Sequence, residues 1–169
     1  MSPKTSDNST RRLVESVAMN IVCIVVDRLH WGYLGCYGNT WIVTPALDRL
    51  ASEGFVFAQG MAESTDLAET YDCYWQGVSV QQRRLQAPRA TLPTLIERAR
   101  RSGKRTILVT DEPLVAEHSA GAAFDEAVVL EAPPSACPPA ADTGSTFAAR
   151  ILTEAIDRAT PDAAPFFLW

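Results

Sequence analysis

The sequence predicts an α/β fold in which a mostly parallel sheet is flanked by helices. Two short runs of β-branched apolar residues, at positions 21–26 and 106–110, are typical of buried strands. Segments with helical periodicity separate and follow them, and this alternation favours parallel pairing. The 169 residues are enough for one globular domain with a sizeable core.

The first predicted strand ends at a candidate site residue. The run IVCIVV at residues 21–26 contains no polar side chain, so we expect it to be buried on both faces of the sheet. Asp27 follows it directly. Ligands of open α/β sheets bind outside the carboxyl ends of the strands. Asp27 is therefore predicted to lie at a ligand site.

A helix is predicted after a glycine-containing loop at residues 29–43. Thr44 fits an N-cap and Pro45 the first helical position, while Gly54 can end the helix. The segment FVF at residues 55–57 suggests a second short strand. The apolar face of this helix carries Leu47, Leu50 and Ala51.

Weaker and stronger helical patterns occupy the middle of the chain. Residues 71–80 are weakly helical, whereas Thr91 can cap a clearer helix that Gly103 ends. The strand at residues 106–110 follows. The apolar face of the second helix carries Leu92, Leu95, Ile96 and Ala99.

The last part of the chain combines a loop, a helix and a strand. Residues 131–144 are rich in Pro, Ala and Ser and indicate a loop. Residues 165–169, PFFLW, indicate a final strand for which no following helix would supply cover. The intervening helix is marked by Phe147, Ile151, Leu152 and Ala155.

Composition excludes several classes of function. The net charge of −5 gives no electrostatic basis for binding nucleic acid. The apolar run at residues 20–26 is too short to span a bilayer and is not followed by small residues, so neither a membrane span nor a signal peptide is expected. We therefore expect a cytoplasmic protein with reduced thiols and no structural zinc. The cysteines are Cys23, Cys36, Cys73 and Cys137.

Two motifs carry a family resemblance. The strings LGCYG at residues 34–38 and TPALDRLASEG at residues 44–54 follow the strand that ends in Asp27. In order and spacing they resemble the opening of sulfatases of the alkaline-phosphatase-like superfamily. The resemblance continues in residues 92–109, 124–126 and 165–169.

The resemblance implies an organisation for the chain. Residues 19–169 would form the N-terminal portion of an alkaline-phosphatase-like α/β domain that is incomplete at its C-terminus. Residues 1–18 are polar and would form a flexible tail. The substrate class would be a sulfate or phosphate ester, and nothing in the sequence indicates a protein partner.

Family sulfatases hold a divalent metal, commonly calcium or magnesium, which requires several oxygen ligands. Asp27 matches the first ligand of the resemblance. Arg28 stands at the second position, where a guanidinium cannot bind a cation and would repel it. The remaining family ligands would fall beyond residue 169. We therefore expect weak metal binding or none.

The nucleophile position departs further from the family pattern. Sulfatases convert the first residue of C/S-x-P-x-R to formylglycine, whose hydrate attacks the sulfate ester. Counting along the chain from Phe57 to Gly77 places this motif on LAETY at residues 67–71. Leu67 offers no nucleophilic atom and Tyr71 replaces the arginine. A shift of two residues would place Thr65 at the nucleophile position, as in phosphate-cleaving relatives that use threonine.

The cationic positions are also altered. Where the family often has G-K-W-H, with Lys and His contacting sulfate, this chain has TDEP at residues 110–113. Asp111 and Glu112 would oppose binding of an anion, and Pro113 replaces a ligand-binding position. An ordinary solvated loop is the competing interpretation for this segment.

Other candidate groups have simpler interpretations. His30 is expected to be a surface or packing histidine, and Cys73 a plain thiol without a neighbouring base. Ser64 and Thr65 are more typical of loop hydrogen bonding than of nucleophiles. The arginines between residues 83 and 105 are expected on a solvated face.

Two functions follow from these observations. The first is a sulfatase-like protein that is catalytically inactive because the nucleophile motif is absent. The alternative is an active metal-dependent sulfate or phosphate ester hydrolase with a substituted nucleophile, once a full-length chain is present.

Overall fold

The computed structural model describes residues 19–27, 29–85, 93–131, 143–159 and 164–169. Several residues that carry predictions from the sequence lie outside this part of the chain. They are the segment 1–18, Arg28, Thr91, Leu92 and Cys137.

The described strands form one parallel sheet, which confirms the predicted fold class. Its order is β1-β4-β2-β3, so the last strand of the chain lies between the first and the second. In the register, Ile107 of β2 lies opposite Leu168 on one side and Glu126 on the other. The strands are β1 (Ile21–Val22), β2 (Arg105–Thr110), β3 (Glu126–Val129) and β4 (Phe166–Leu168).

Six described α-helices accompany this sheet. Three short 3₁₀ turns, at Trp31–Tyr33, Gly35–Tyr37 and Gly121–Ala123, lie in the connections. The helices are α1 (Pro45–Glu53), α2 (Leu67–Gln76), α3 (Val80–Leu85), α4 (Leu95–Arg101), α5 (Pro113–Glu117) and α6 (Thr143–Arg158).

The sheet separates two apolar clusters, because alternate residues of a strand point to opposite faces. Leu108 and Phe167 face the main cluster, formed with α2, α4 and α5. Ile107, Phe166 and Leu168 face the second cluster, where Ala155 of α6 packs against them. The main cluster contains Tyr71, Trp75, Ile96, Ala99, Leu108, Val115, Ala120, Phe124 and Phe167.

The final strand differs from expectation in its surroundings. We expected β4 to lack a covering helix, but all three of its residues are buried between the two clusters. The central position of β4 in the strand order explains the burial, since helices from earlier in the chain cover both faces.

Contrary to prediction, the first strand β1 is less buried than the final strand β4. Only Ile21 and Val22 form the strand, and Cys23 extends the pairing with a backbone bond to Leu168. Ile24 and Val26 are 70% and 59% exposed. β1 lies at an edge of the sheet and α6 packs against β2 and β4, so one face of the apolar run has no cover among the described residues.

The predicted strand at residues 55–57 is wrong. These residues are irregular, and Phe55 is 81% exposed. The carbonyl of Phe57 accepts a hydrogen bond from the hydroxyl of Tyr37 at 2.9 Å. This segment is therefore tied to the glycine-containing loop and not to a neighbouring strand.

Helix α1 begins and ends as predicted, but its apolar face is not buried. Thr44 does not cap the helix with its side chain. Its hydroxyl accepts a bond from the Gly35 amide and donates one to Asp48. A Cβ on Gly35 would lie 2.5 Å from a carboxylate oxygen of Asp48, so only glycine allows this approach. The two resemblance motifs thus hold each other in place.

Helix α4 begins later than predicted. Its cap is Thr94, which forms a capping box with Glu97 through bonds of 2.9 and 3.1 Å. Gly103 follows the helix with φ of 79°, a conformation that favours glycine and confirms the predicted end.

The buried hydroxyl of Thr106 fixes the start of β3 against β2. It donates to Asp125 Oδ2 at 2.8 Å and accepts from the Asp125 amide at 2.9 Å. Burial acts to raise the pKa of Asp125, but the bonds from Thr106 and the charge of Arg100 outweigh it and lower that pKa. This pair links the two strands at their amino ends.

Replacing Thr106 with valine tests this link. Thr106→Val keeps the shape but removes the hydroxyl's bonds to the Asp125 carboxylate and amide, while the amide keeps the Thr106 carbonyl as an acceptor. Because one of the lost bonds is to a charged group, we expect a loss of about 1–3 kcal/mol in the free energy of unfolding. Urea denaturation measures this loss in the free energy of unfolding. Thr153→Val, at an exposed position of α6, is the control and should change stability by less than about 0.5 kcal/mol. Equal effects of the two substitutions would contradict the assigned role.

Candidate active site

The carboxyl edge of the sheet collects the residues that follow three parallel strands. Asp27 lies in the turn after β1, Trp169 follows β4, and Asp111 and Glu112 follow β2. Because the strands are parallel, these residues belong to the same edge. Helix α2 packs over the sheet face next to it.

The start of α2 is built from a small hydrogen-bonded turn. Asp66 caps the helix by accepting the Glu69 amide at 2.9 Å. The Ser64 hydroxyl donates to the Glu69 carboxylate at 2.7 Å and accepts the Asp66 amide at 3.0 Å. Ser64 is thus a loop hydrogen bonder, as expected. Thr65 lies between these residues and is exposed.

Leu67 is the first residue of α2 and is partly buried against the main cluster. An apolar side chain at this position contributes to packing against the core. Tyr71 lies one turn further along the same helix and is only 5% exposed. The two residues counted as nucleophile and arginine positions therefore both pack into the interior.

Tyr71 belongs to a group of three aromatic rings at this edge. Its ring centroid lies 5.8 Å from that of Tyr74 and 6.1 Å from that of Trp169. The centroids of Tyr74 and Trp169 are 6.0 Å apart. Such edge-to-face and tilted arrangements are the favoured geometries of ring pairs. We call these residues the aromatic triad.

The Tyr71 hydroxyl is held in its neutral form. Burial raises its pKa to about 12, and the negative charge of Asp27 adds to the effect. Tyr74 and Glu112 act in the same direction, while a hydrogen bond with Trp169 opposes it. Two carboxylates therefore influence this hydroxyl from opposite sides of β4, one after β1 and one after β2.

The acidic residues after β2 differ in role. Asp111 is exposed, whereas Glu112 caps α5 by accepting the Leu114 amide at 3.3 Å. Pro113 occupies the first position of α5, where its missing amide hydrogen costs nothing. The segment that the resemblance aligns with the family's cationic positions thus contains the start of α5.

Sequence reasoning missed a histidine–carboxylate pair beside the aromatic triad. His118 Nε2 lies 3.1 Å from Asp72 Oδ1, and His118 Nδ1 accepts the Ala120 amide at 3.1 Å. The imidazole also packs edge-on against Trp75 with centroids 5.1 Å apart. No local sequence signal connects residues 46 positions apart. This pair joins α2 to the end of α5.

A cavity of about 500 Å³ lies on the outer side of α2, under the segment 60–63. Thr70, Cys73 and Tyr74 line it from the helix, and Glu63 from the segment. The Thr70 hydroxyl donates to the Asp66 carbonyl at 2.8 Å. The cavity and the aromatic triad share Tyr74.

The other candidate groups lie apart from these features. His30 is exposed, and its Nδ1 accepts the Gly32 amide at 3.0 Å, so it acts as a loop cap. Cys23 packs against the main cluster, where burial raises the pKa of its thiol.

The donor set does not fit a calcium or magnesium ion within the described residues. Nowhere in that part of the chain do three or more carboxylate, imidazole or thiol side chains converge. Calcium takes six to eight oxygen ligands and magnesium six. Asp27 and Glu112 are too few to supply them.

No helix in the described part of the chain is both long enough and apolar enough to span a bilayer.

Comparison with known proteins identifies the family. The family model described as Sulfatase matches residues 19–169. No solved structure matches significantly.

Short segments also match curated sulfatases. Arylsulfatase H of Canis lupus familiaris is 48% identical over 46 residues, which is 27% of this chain and 8% of that protein. Steryl-sulfatase of Mus musculus is 51% identical over 43 residues, or 25% and 7%. N-acetylgalactosamine-6-O-sulfatase of Bacteroides thetaiotaomicron is 47% identical over 45 residues, or 27% and 9%. The matched segment thus spans less than a tenth of each relative. Because the family match covers nearly all of the chain, this protein belongs to the sulfatase family.

Proposed function

We propose that this chain is a sulfatase-family protein that does not itself hydrolyse sulfate esters. The position of Leu67 supports this most directly. Its carbon-only side chain stands where the motif count places the nucleophile, and it packs against the main cluster. Hydrolysis through formylglycine needs a cysteine or serine at that position.

The charge at the carboxyl edge supports the same proposal. Transfer of a sulfuryl group needs cationic groups that stabilise the developing negative charge. Tyr71 stands at the arginine position and carries no charge near neutral pH, because its pKa is about 12. Asp27 and Glu112 add negative charge, which opposes binding of a sulfate ester.

One observation favours the alternative of an active hydrolase. The Thr65 side chain is exposed in the turn before α2, so its hydroxyl is accessible to a substrate. A sulfate or phosphate ester would be the substrate class, with ligands for a divalent metal supplied from outside the described residues. A cytoplasmic location stays a prediction for either function.

An assay of the purified chain separates the two functions. Nitrophenyl sulfate and nitrophenyl phosphate are incubated with the chain in the presence of calcium, magnesium or manganese. We expect rates equal to those of the Thr65→Ala variant and of a protein-free blank. Turnover that Thr65→Ala abolishes would establish the alternative. Turnover that survives this substitution would overturn the proposal through another nucleophile.

A calcium titration tests the donor set. With two carboxylates at the edge, we expect no saturable binding tighter than about 1 mM by calorimetry. The Asp27→Asn variant should give the same trace as the parent chain. A site in the micromolar range that Asp27→Asn removes would show that Asp27 belongs to a working metal site.

The neutral state of Tyr71 has a consequence for stability. Its pKa is higher in the folded chain, about 12, than the ordinary value of 10.0, so the unfolded chain releases this proton first. The stability it contributes is complete below pH 10 and is lost as the pH rises towards 12. The loss should reach roughly 2–3 kcal/mol.

The Tyr71→Phe variant isolates this effect. At pH 7 it should be less stable by about 1 kcal/mol, because the hydrogen bond with Trp169 is lost. Between pH 10 and 12 that difference should shrink or reverse. Tyr33→Phe, at an exposed position, is the control and should follow the parent curve. Urea denaturation at each pH provides the measurement, and parallel curves for Tyr71→Phe would contradict the assignment.

A further inference from the structure

We propose that two copies of this chain associate through the apolar surface of residues 29–57. This region contains the two 3₁₀ turns that follow β1, helix α1 and the segment 55–57. The partner is a second, identical chain related to the first by a two-fold axis. The inference goes beyond the proposed function and does not depend on it.

Hydrogen bonds hold this region together as one unit. The side-chain amide of Asn39 donates to the Gly32 carbonyl, and its oxygen accepts the Trp41 amide at 2.9 Å. The Thr44 hydroxyl accepts the Gly35 amide at 2.9 Å and donates to the first turn of α1. The turns and α1 therefore present their side chains from a fixed frame.

Helix α1 brings an apolar stripe that the described part of the chain leaves uncovered. Its main contact is with the turn Gly35–Tyr37, and none of its residues is buried. Leu47 and Leu50 are 43% and 64% exposed. A surface helix normally turns such a stripe towards a core. The stripe of α1 is therefore open to a second molecule.

Aromatic rings add a continuous patch to the same unit. The ring centroids of Trp31 and Tyr37 are 6.1 Å apart, and those of Phe55 and Phe57 are 4.9 Å apart. The bond from the Tyr37 hydroxyl to the Phe57 carbonyl joins the two pairs. Trp31, Phe55 and Phe57 are 61%, 81% and 73% exposed. We call these four residues the loop patch.

The exposed apolar area of the region suits an interface of ordinary size. An aromatic side chain can bury roughly 150–250 Å², so the loop patch offers on the order of 400 Å². Trp41, at 84% exposure, and the two leucines of α1 raise the total to roughly 700 Å². The largest apolar patch of a monomer usually covers about 300–600 Å². A stable complex buries about 800 Å² on each partner.

The charges of this region are paired within it, which favours an identical partner over an oppositely charged one. Arg49 pairs with Glu53 at 2.8 Å, and Asp48 accepts the Thr44 hydroxyl. Two acidic residues and one basic residue give residues 29–57 only −1 of the net charge of −5. Interface centres are rich in Trp, Tyr and Phe and poor in charge. Such a surface is complementary to a copy of itself, and two-fold dimers are the commonest soluble oligomers.

Sedimentation velocity of the purified chain tests the association. Between about 1 and 100 μM we expect a reversible equilibrium of monomer and dimer without larger species. Raising sodium chloride from about 50 to 500 mM should not weaken the dimer. The contact is apolar, and the added salt screens the repulsion between two chains of net negative charge.

Matched variants locate the contact. Phe55→Glu and Leu50→Glu bring a carboxylate into the apolar contact, and each should weaken dimerisation at least about tenfold. Ile156→Glu adds the same charge at a 69% exposed position of α6 and is the control, which should leave the dimerisation constant unchanged. All three side chains are exposed in the single chain, so circular dichroism should show the parent fold in each variant.

Three results would overturn the inference. They are a monomer at every concentration, equal effects of Leu50→Glu and Ile156→Glu, and growth beyond a dimer, which would show a contact without two-fold symmetry. For a monomer, the fluorescence of anilinonaphthalene sulfonate identifies what covers the surface instead. Unchanged fluorescence would indicate cover by residues of this chain outside the described ranges, and enhanced fluorescence would indicate a surface left for a different partner. The hydrolysis assay bears on the proposed function alone, so the two proposals fail separately.

Discussion

The packing of α2 on β4 is the contact on which the rest of this structure depends. Tyr71 and Trp75 of α2 are buried with Phe167, and Trp169 continues the same set of rings at the end of the strand. Truncating one such residue in a core costs about 3–5 kcal/mol. Helices α4 and α5 contribute Ile96 and Val115 to the same cluster, so β4 becomes the centre of the molecule although it comes last in the chain.

This packing also determines what α2 can offer at its exposed end. A helix whose Leu67 and Tyr71 lie in the core cannot direct a nucleophile and a guanidinium from those positions to a substrate. The segment before it is held by two bonds: Ser64 accepts the amide of the cap residue Asp66, and Asp66 accepts the Glu69 amide. Positions 67 and 71 of this family member therefore contribute contacts to the core.

Local patterns predicted the parts of the fold that depend on local interactions. The start of α1 at Pro45 and the end of α4 before Gly103 follow from capping signals. The strands predicted at residues 106–110 and 165–169 correspond to β2 and β4. The errors concern long-range relations. Burial of residues 21–26 depends on neighbours across the sheet, and residues 55–57 are bonded through Tyr37. The His118–Asp72 contact and the aromatic triad likewise join segments distant in the sequence.

The distribution of charged residues at the two edges of the sheet also follows from the strand order. Motif counting predicted that the family's cationic groups are missing, but it could not show where the remaining charges lie. The parallel sheet places Glu126 and its arginine partners at the amino edge, and Asp27 and Glu112 at the carboxyl edge. The strand order thus decides which charges meet at each edge of the sheet, a relation between distant segments that no local pattern carries.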